Sequence, residues 1–376
     1  MVDISTVLST LRMQVDEDIA PIFLELEDLW ERKLWFQLTE ALVGLFQDKR
    51  SEPVRMRLFE AFIAPCEPNL NSLAFVSLAI SASESIDPND TLVFFTNIAE
   101  DVKGKQDVWV YAQLHIAQIQ VSLDNLYLAK KIIDNTTEII SKSQITNKVI
   151  TAAYYSTCLE YYKKKQDYTR FYDNSLLFLS CINLDSLDHS AKQARAYDLA
   201  ISALLGDKIY NFGELILHPI FESLDGEHKW LHDLILCINS GDMKAFQQQR
   251  LNLPKSALLE SMAGFIDQKI CLMALCELVF QRGTSNRIFS FDAIAKETHL
   301  HSESAVEILV LKAFSMDLLR GSIDQVDRMV TISWLHPRIL SHNQIALMRD
   351  KLRSWDQEVQ SIGKWMQQEG TNIWVK

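Results

Sequence analysis

The sequence predicts an almost all-α chain: a right-handed helical-repeat solenoid, then a small winged-helix domain, then one long C-terminal helix. Three observations lead there. Helix breakers are scarce, with eleven glycines and eight prolines in 376 residues, well under half of the usual share of roughly 12%. Apolar residues recur at steps of three and four between short polar breaks, the spacing of one helix face. Near residue 286 that pattern gives way to a strand, two helices and a hairpin, followed by a narrow apolar seam close to the end of the chain.

From Pro21 to about Gln281 helix follows helix. Leu34, Leu38, Ala41, Leu42 and Leu45 mark one. The run from Val108 to Val121 is apolar on a broad front. From Asp124, the residues Leu126, Ala129, Ile133, Thr136 and Ile140 form one face, which Ile132 and Ile139 widen, so this helix packs on two sides. Short breaks punctuate the series at Asp87-Pro88-Asn89, Lys103-Gly104-Lys105, Gln166-Asp167, Gly206-Asp207, Asp225-Gly226 and Ser240-Gly241-Asp242. A helix of such length cannot bury its own apolar face, whereas stacked hairpins can, and the expected result is a degenerate superhelical array. It divides into repeats over 1–225 and a last set over 226–285.

The pattern changes at Gly283-Thr284-Ser285-Asn286. Ile288-Phe289-Ser290-Phe291 reads as a short strand. A helix follows with Ile294, Ala295 and Thr298 on one face, and a turn at His299 to Ser302. A second helix buries Val306, Leu309, Val310, Ala313 and Met316. Ser304 to Glu307 has capping-box form, with Ser302 as the alternative cap. Leu319 to Ile323 reads as a strand, Asp324 to Arg328 as a turn, and Val330, Ile332 and Trp334 alternate with Thr331 and Ser333 as a half-buried strand. This is the winged-helix order, over 286–340. A final helix, within 341–376, is expected from about His342 to Gln368. On it Ile345, Met348, Leu352, Trp355, Val359, Ile362 and Met366 recur at alternating steps of three and four. That seam of period 3.5 is the mark of a helix packed among other helices. These seven residues are the expected partner-binding set. Arg320, Ser322, Thr331 and Ser333 on the wing strands join them, because a wing edge can pair with a neighbour.

Composition narrows the function. With 48% hydrophobic and 23% charged residues the chain is expected to be globular. A net charge of −12 opposes nucleic acid and anionic membranes. The cysteines at 66, 158, 181, 237, 271 and 276 form no CxxC pair, and reduced core thiols in a reducing compartment are expected. No basic segment precedes an apolar one around Asp16, Glu17 and Asp18, so no signal peptide is expected. No run approaches the ~20 apolar residues of a membrane span. Cytoplasm and nucleus are the expected locations, which makes Asn135-Thr136-Thr137 a chance glycosylation pattern.

No catalytic or cofactor motif stands out. No two glycines are two, four or five apart, so dinucleotide, P-loop and hydrolase-elbow patterns are absent. His228 and His232 could share a metal if both lay on one helix, but Lys229 stands where a zincin needs glutamate. A partly exposed helix face is the expectation. His299-Leu300-His301 has the HxH form of a metalloprotease, yet the offsets that would carry a serine and an aspartate hold Leu309 and Lys312. Lys163-Lys164-Lys165 among Tyr161, Tyr162, Tyr168, Arg170, Phe171 and Tyr172 could stack single-stranded RNA. A helix end whose dipole the lysines suit is preferred. Over 286–335, Asp292, Glu297, Glu303, Glu307, Asp317, Asp324 and Asp327 outnumber Arg287, Lys296, Lys312, Arg320 and Arg328, which opposes DNA in the winged helix. No metal and no cofactor is expected.

An array, a winged helix and a terminal helix make the layout of PCI proteins, which build the proteasome lid, the signalosome and a translation initiation factor. Lys33-Leu34-Trp35 with Gln37-Leu38-Thr39, the stretch Asn211-Phe212-Gly213-Glu214-Leu215-Ile216-Leu217-His218-Pro219, and Arg320 to Asp327 with Trp334 and Pro337-Arg338 sharpen the match. By them the chain resembles the PCI non-ATPase subunits of the lid of the proteasome regulatory particle, and among these the one at an end of the lid's horseshoe. The resemblance covers nearly the whole chain, and its most specific part is 211–219. It implies a non-catalytic scaffold in ubiquitin-dependent degradation, whose winged helix joins a ring of neighbouring PCI domains. It also implies nearness to the deubiquitinating metalloprotease pair and to a ubiquitin receptor. The rival readings are a PCI scaffold of the signalosome or initiation factor, and a PCI nucleic-acid adaptor.

Overall fold

The structure is a computed structural model that describes residues 4–13, 19–143, 147–282, 287–337 and 342–374. Asp16 to Asp18, the Gly283–Asn286 break and Arg338 lie outside the described residues. The chain is almost wholly helical and divides into two compact units, Met1–Asn183 and Leu184–Lys376.

The first unit holds α1 (Ile4–Arg12), α2 (Ala20–Glu31), α3 (Trp35–Gln47), α4 (Glu52–Leu58), α5 (Ser72–Ser83), α6 (Pro88–Asp101), α7 (Gln106–Ser122), α8 (Leu126–Ser143), α9 (Lys148–Lys165) and α10 (Tyr168–Cys181). Sequence neighbours pack on one another: α2 on α3, α6 on α7, α7 on α8, α9 on α10. The broad apolar front of α7 has a direct cause. Helices α5, α6, α8 and α9 all touch it, so Val110 and Ala112, on opposite faces, are equally buried. In α8, Ala129, Ile133 and Thr136 are buried and Ile132 and Ile139 half-buried, the expected two-sided packing. After Leu58 the run changes to a π turn, Phe59–Ile63, and then to 3-10 turns, Ala64–Asn69. Pro65 and Pro68 stand in that second part, and a proline lacks the N–H an α-helix needs.

Several sequence breaks act as caps. Asn71, Asn147 and Asp167 each accept a backbone N–H at the start of α5, α9 and α10. Gln166 ends α9 in the left-handed conformation, φ 61°. Below the turn after α3, Arg55 is buried. Its guanidinium donates to Ser51 Oγ (3.0 Å) and the Asp48 carbonyl (3.0 Å), reaches Glu84 Oε2 (3.3 Å), and so ties α4 to α5.

The second unit holds α11 (His189–Leu205), α12 (Gly213–Leu217), α13 (Lys229–Ser240), α14 (Met243–Gln249), α15 (Ala257–Ser261), α16 (Ala263–Arg282), β1 (Ile288–Ser290), α17 (Phe291–Thr298), α18 (Glu303–Ser315), β2 (Leu319–Asp324), β3 (Met329–Leu335) and α19 (His342–Trp374). Helix α16 is its axis. It touches α11, α13, α14, α15, α17, α18 and β3, and buries Ile266, Ile270, Met273 and Val279. Gly241 joins α13 to α14 at φ 68°, and a β-carbon there would stand 2.9 Å from Ala274 Cα, so both conformation and approach call for glycine.

The three strands form one antiparallel sheet in the order β1-β3-β2. With α17 and α18 this is the winged helix. Ser302, not Ser304, caps α18: its Oγ accepts the Ala305 N–H at 3.2 Å, and Ser304 already lies inside the helix. The capping-box reading therefore lies two residues too late, and the alternative cap is the one used. Helix α19 runs six residues beyond the expected Gln368, to Trp374.

Candidate assembly surface

Helix α19 is 33 residues long, about 50 Å at 1.5 Å per residue. It contains no proline and no charge block that would break it. The predicted seam residues Ile345, Met348, Leu352, Trp355, Val359, Ile362 and Met366 are all exposed, between 47% and 64%. Between them stand Arg349, Asp350, Lys351, Arg353, Asp356 and Glu358. Trp365, also exposed, broadens the distal half of the seam. Sequence reasoning passed over it because it falls outside the three–four spacing, although an exposed tryptophan beside a seam is itself a signal for protein contact.

The four wing residues come together on the β2–β3 hairpin. Ser322 faces Thr331 across the ladder and both are exposed. The other two are engaged within the domain. Arg320 donates to both oxygens of Asp317, at 2.7 and 3.0 Å, and its guanidinium lies 4.5 Å from the Trp334 ring centre. Ser333 Oγ donates to the Arg320 carbonyl at 3.0 Å.

Phe212, from the stretch 211–219, stands beside a buried cation. Lys269, on α16, is 1% exposed. Its ammonium donates to the carbonyls of Ala203 (2.8 Å), Leu204 (3.1 Å) and Gly206 (2.8 Å) at the C-terminal end of α11. The rings of Tyr210, Phe212 and Phe265 stand 5.3, 5.3 and 5.6 Å away. Orphan carbonyls and the negative end of a helix dipole favour the cation there. Burial acts the other way and pushes its pKa down to about 7, against the pull of Asp207. Asn211 Oδ1 accepts the Gly213 N–H and His218 Nδ1 accepts the Ile220 N–H, which fixes the loop that carries Phe212. The sequence signal that could have revealed Lys269 is a lysine directly before the apolar run from Ile270 to Cys276.

The two histidines weighed as metal ligands do not share a helix. Gly226, at φ 56°, opens a 3-10 turn that ends at His228, while His232 lies within α13. His228 packs on Tyr197 with ring centres 4.8 Å apart, and His232 stacks on Phe221 at 4.4 Å. Among the described residues no group of three His, Cys, Asp or Glu is placed to hold a metal. His299 ends α17 at φ 52°, in the turn before α18. Lys163, Lys164 and Lys165 occupy the last turn of α9, where Lys164 pairs with Asp124 at 3.3 Å, and Arg170 lies over the Tyr162 ring at 5.8 Å. Burial pushes the Cys158 thiol up to about 11, so it resists ionisation.

Helices packed one on the next, a winged helix and a long terminal helix make the layout of a PCI protein, and residues 243–334 match the PCI domain family. Residues 22–235 match the PSD13 N-terminal repeats and residues 338–370 the Rpn9 C-terminal helix. The probable 26S proteasome regulatory subunit rpn9 of Schizosaccharomyces pombe is 38% identical over 100% of this chain and 98% of its own length. The 26S proteasome regulatory subunit RPN9 of Saccharomyces cerevisiae is 39% identical over 99% of each chain. The 26S proteasome non-ATPase regulatory subunit 13 homolog B of Arabidopsis thaliana is 32% identical over 89% of this chain and 90% of its own. The chain belongs to the Rpn9/PSD13 family of proteasome non-ATPase regulatory subunits.

Proposed function

We propose that the chain is a structural, non-catalytic subunit of the lid of the 26S proteasome regulatory particle and supports ubiquitin-dependent degradation by holding its neighbours in place. The observation that carries the reading is the α19 seam, apolar at all seven positions and exposed along its length. A seam of period 3.5 is complementary to other helices, not to a small molecule. The terminal helix enters a bundle with helices of other lid subunits, and the exposed wing residues Ser322 and Thr331 meet a neighbouring PCI domain. The partners are other PCI subunits and the deubiquitinating metalloprotease pair, with a ubiquitin receptor close by. The working compartments are cytoplasm and nucleus.

The test is Trp355→Ala combined with Ile362→Ala. Truncating a buried tryptophan costs ~3–5 kcal/mol, so incorporation into the lid should fall by orders of magnitude. The isolated variant should melt as the unaltered chain does. Normal co-purification with the lid, or early melting of the monomer, would overturn the role given to α19. The non-catalytic part has its own test. Purified chain that cleaves ubiquitin chains or ATP, and stops when His228 or His301 is changed, would refute it.

A further inference from the structure

The winged helix has a second surface, separate from its sheet. On α18, Val306, Leu309, Val310 and Ala313 are buried. The side facing away from them carries Ser304, Ile308, Leu311 and Ser315, all exposed and spaced by four, three and four residues along one stripe. This stripe holds no charge. Its two large residues are aliphatic, Ile308 being 64% and Leu311 51% exposed. In a DNA-reading winged helix the corresponding helix needs cations and hydrogen-bond donors.

The wing borders the same helix. Arg328 pairs with Glu303 at 2.8 Å, and Gln325 Nε2 donates to Glu307 Oε1 at 2.7 Å. These bonds hold the turn between β2 and β3 against the N-terminal half of α18. Val326, in that turn, is 91% exposed. The flank so formed carries the carboxylates of Glu303, Glu307, Asp324 and Asp327 against one guanidinium, that of Arg328. The stripe is therefore apolar with an acidic border on the wing side.

Resting on the reading of this chain as an assembly subunit, we propose that the solvent face of α18, with the wing turn beside it, docks one amphipathic helix of another subunit whose apolar stripe is flanked by lysine or arginine. An apolar pair at a three-residue step receives i, i+3 and i+4 anchors of a helix laid along it. The acidic border selects the charge of its flank. The same border argues against a second copy of this chain. A two-fold pairing through Ile308 and Leu311 would set the Glu303–Glu307 flank against its own copy, and like charges there repel.

The test places a photo-crosslinking p-benzoyl-phenylalanine at Ser315 in the full chain within the assembled, purified lid. After irradiation the crosslinked peptide is identified by mass spectrometry. The expected peptide is a helix with aliphatic residues at i, i+3 or i+4 and basic residues beside them. Ile308→Asp with Leu311→Asp should reduce the crosslink by at least about tenfold while the melting temperature holds. Ile308→Ala with Leu311→Ala gives the same direction should the aspartates unfold the domain. A crosslink to a second copy, to nucleic acid or to an acidic or strand segment overturns the proposal. So does a complex that contains the chain but yields no crosslink. A chain that enters no complex at all overturns the assembly reading, and this site with it.

Discussion

Lys269 gathers backbone carbonyls from far up the chain onto one atom. Three carbonyl acceptors match the three protons of its ammonium group, and they lie 63 to 66 residues earlier in the chain. Lys269→Met keeps the volume and leaves three buried carbonyls without a partner. The expected loss is about 3 kcal/mol or more, read as a lower urea midpoint with an unchanged slope. The pH dependence has a definite sign. Folding lowers the pKa from 10.5 to about 7, so between those values the unfolded chain binds more protons than the folded one, and stability rises with pH across that window. The advantage of the unaltered chain over Lys269→Met should therefore widen from pH 6.5 to pH 9. A difference that stays flat, or narrows, would show that burial does not depress this lysine.

At the scale of elements, the wing hairpin depends on one glycine. The β2–β3 register shifts between Arg320 and Gly321, and a β-carbon at Gly321 would collide with the carbonyl oxygen of Thr331. A bulge of this kind bends the strand and re-aims its side chains. Gly321→Val is expected to open the hairpin, lower the melting temperature by several degrees, and break the bidentate contact of Arg320 with Asp317. Amide exchange along β3 measures it, and unchanged protection at Val330 and Ile332 would contradict it. The strands themselves were readable, since β3 alternates buried Val330 and Ile332 with exposed Thr331 and Ser333. The cap of α18 was not decided by sequence, because Ser302 and Ser304 offer the same hydroxyl. Only the backbone course, which starts the helix at Glu303, selects Ser302. The apolar stripe of Ile308 and Leu311 was hidden for a related reason. In a helix with Val306, Leu309, Val310 and Ala313 also apolar, periodicity alone does not say which aliphatics face water.

Across the whole molecule, the chain divides at Asn183 and Leu184, and each unit has its own buried centre. The large cluster that runs from Leu8 to Ile119 belongs to the first. Helix α16 with its neighbours supplies the second. A fragment of residues 184–376 should therefore fold by itself, with helical circular dichroism and one cooperative melt. A broad, non-cooperative loss of signal would mean that the second unit needs the first.

The order of elements, the winged-helix pattern, the family and the α19 seam all lie in the sequence, because each rests on spacing along the chain and periodicity is a local property. The tertiary structure decided which polar groups meet. Lys269 finds backbone carbonyls, Ser333 bonds the Arg320 carbonyl, and Arg55 finds the Asp48 carbonyl. Every residue carries the same carbonyl oxygen, so no side chain announces these acceptors. Only the packing of α11 on α16, of β2 on β3 and of α4 beneath the turn after α3 brings them within reach.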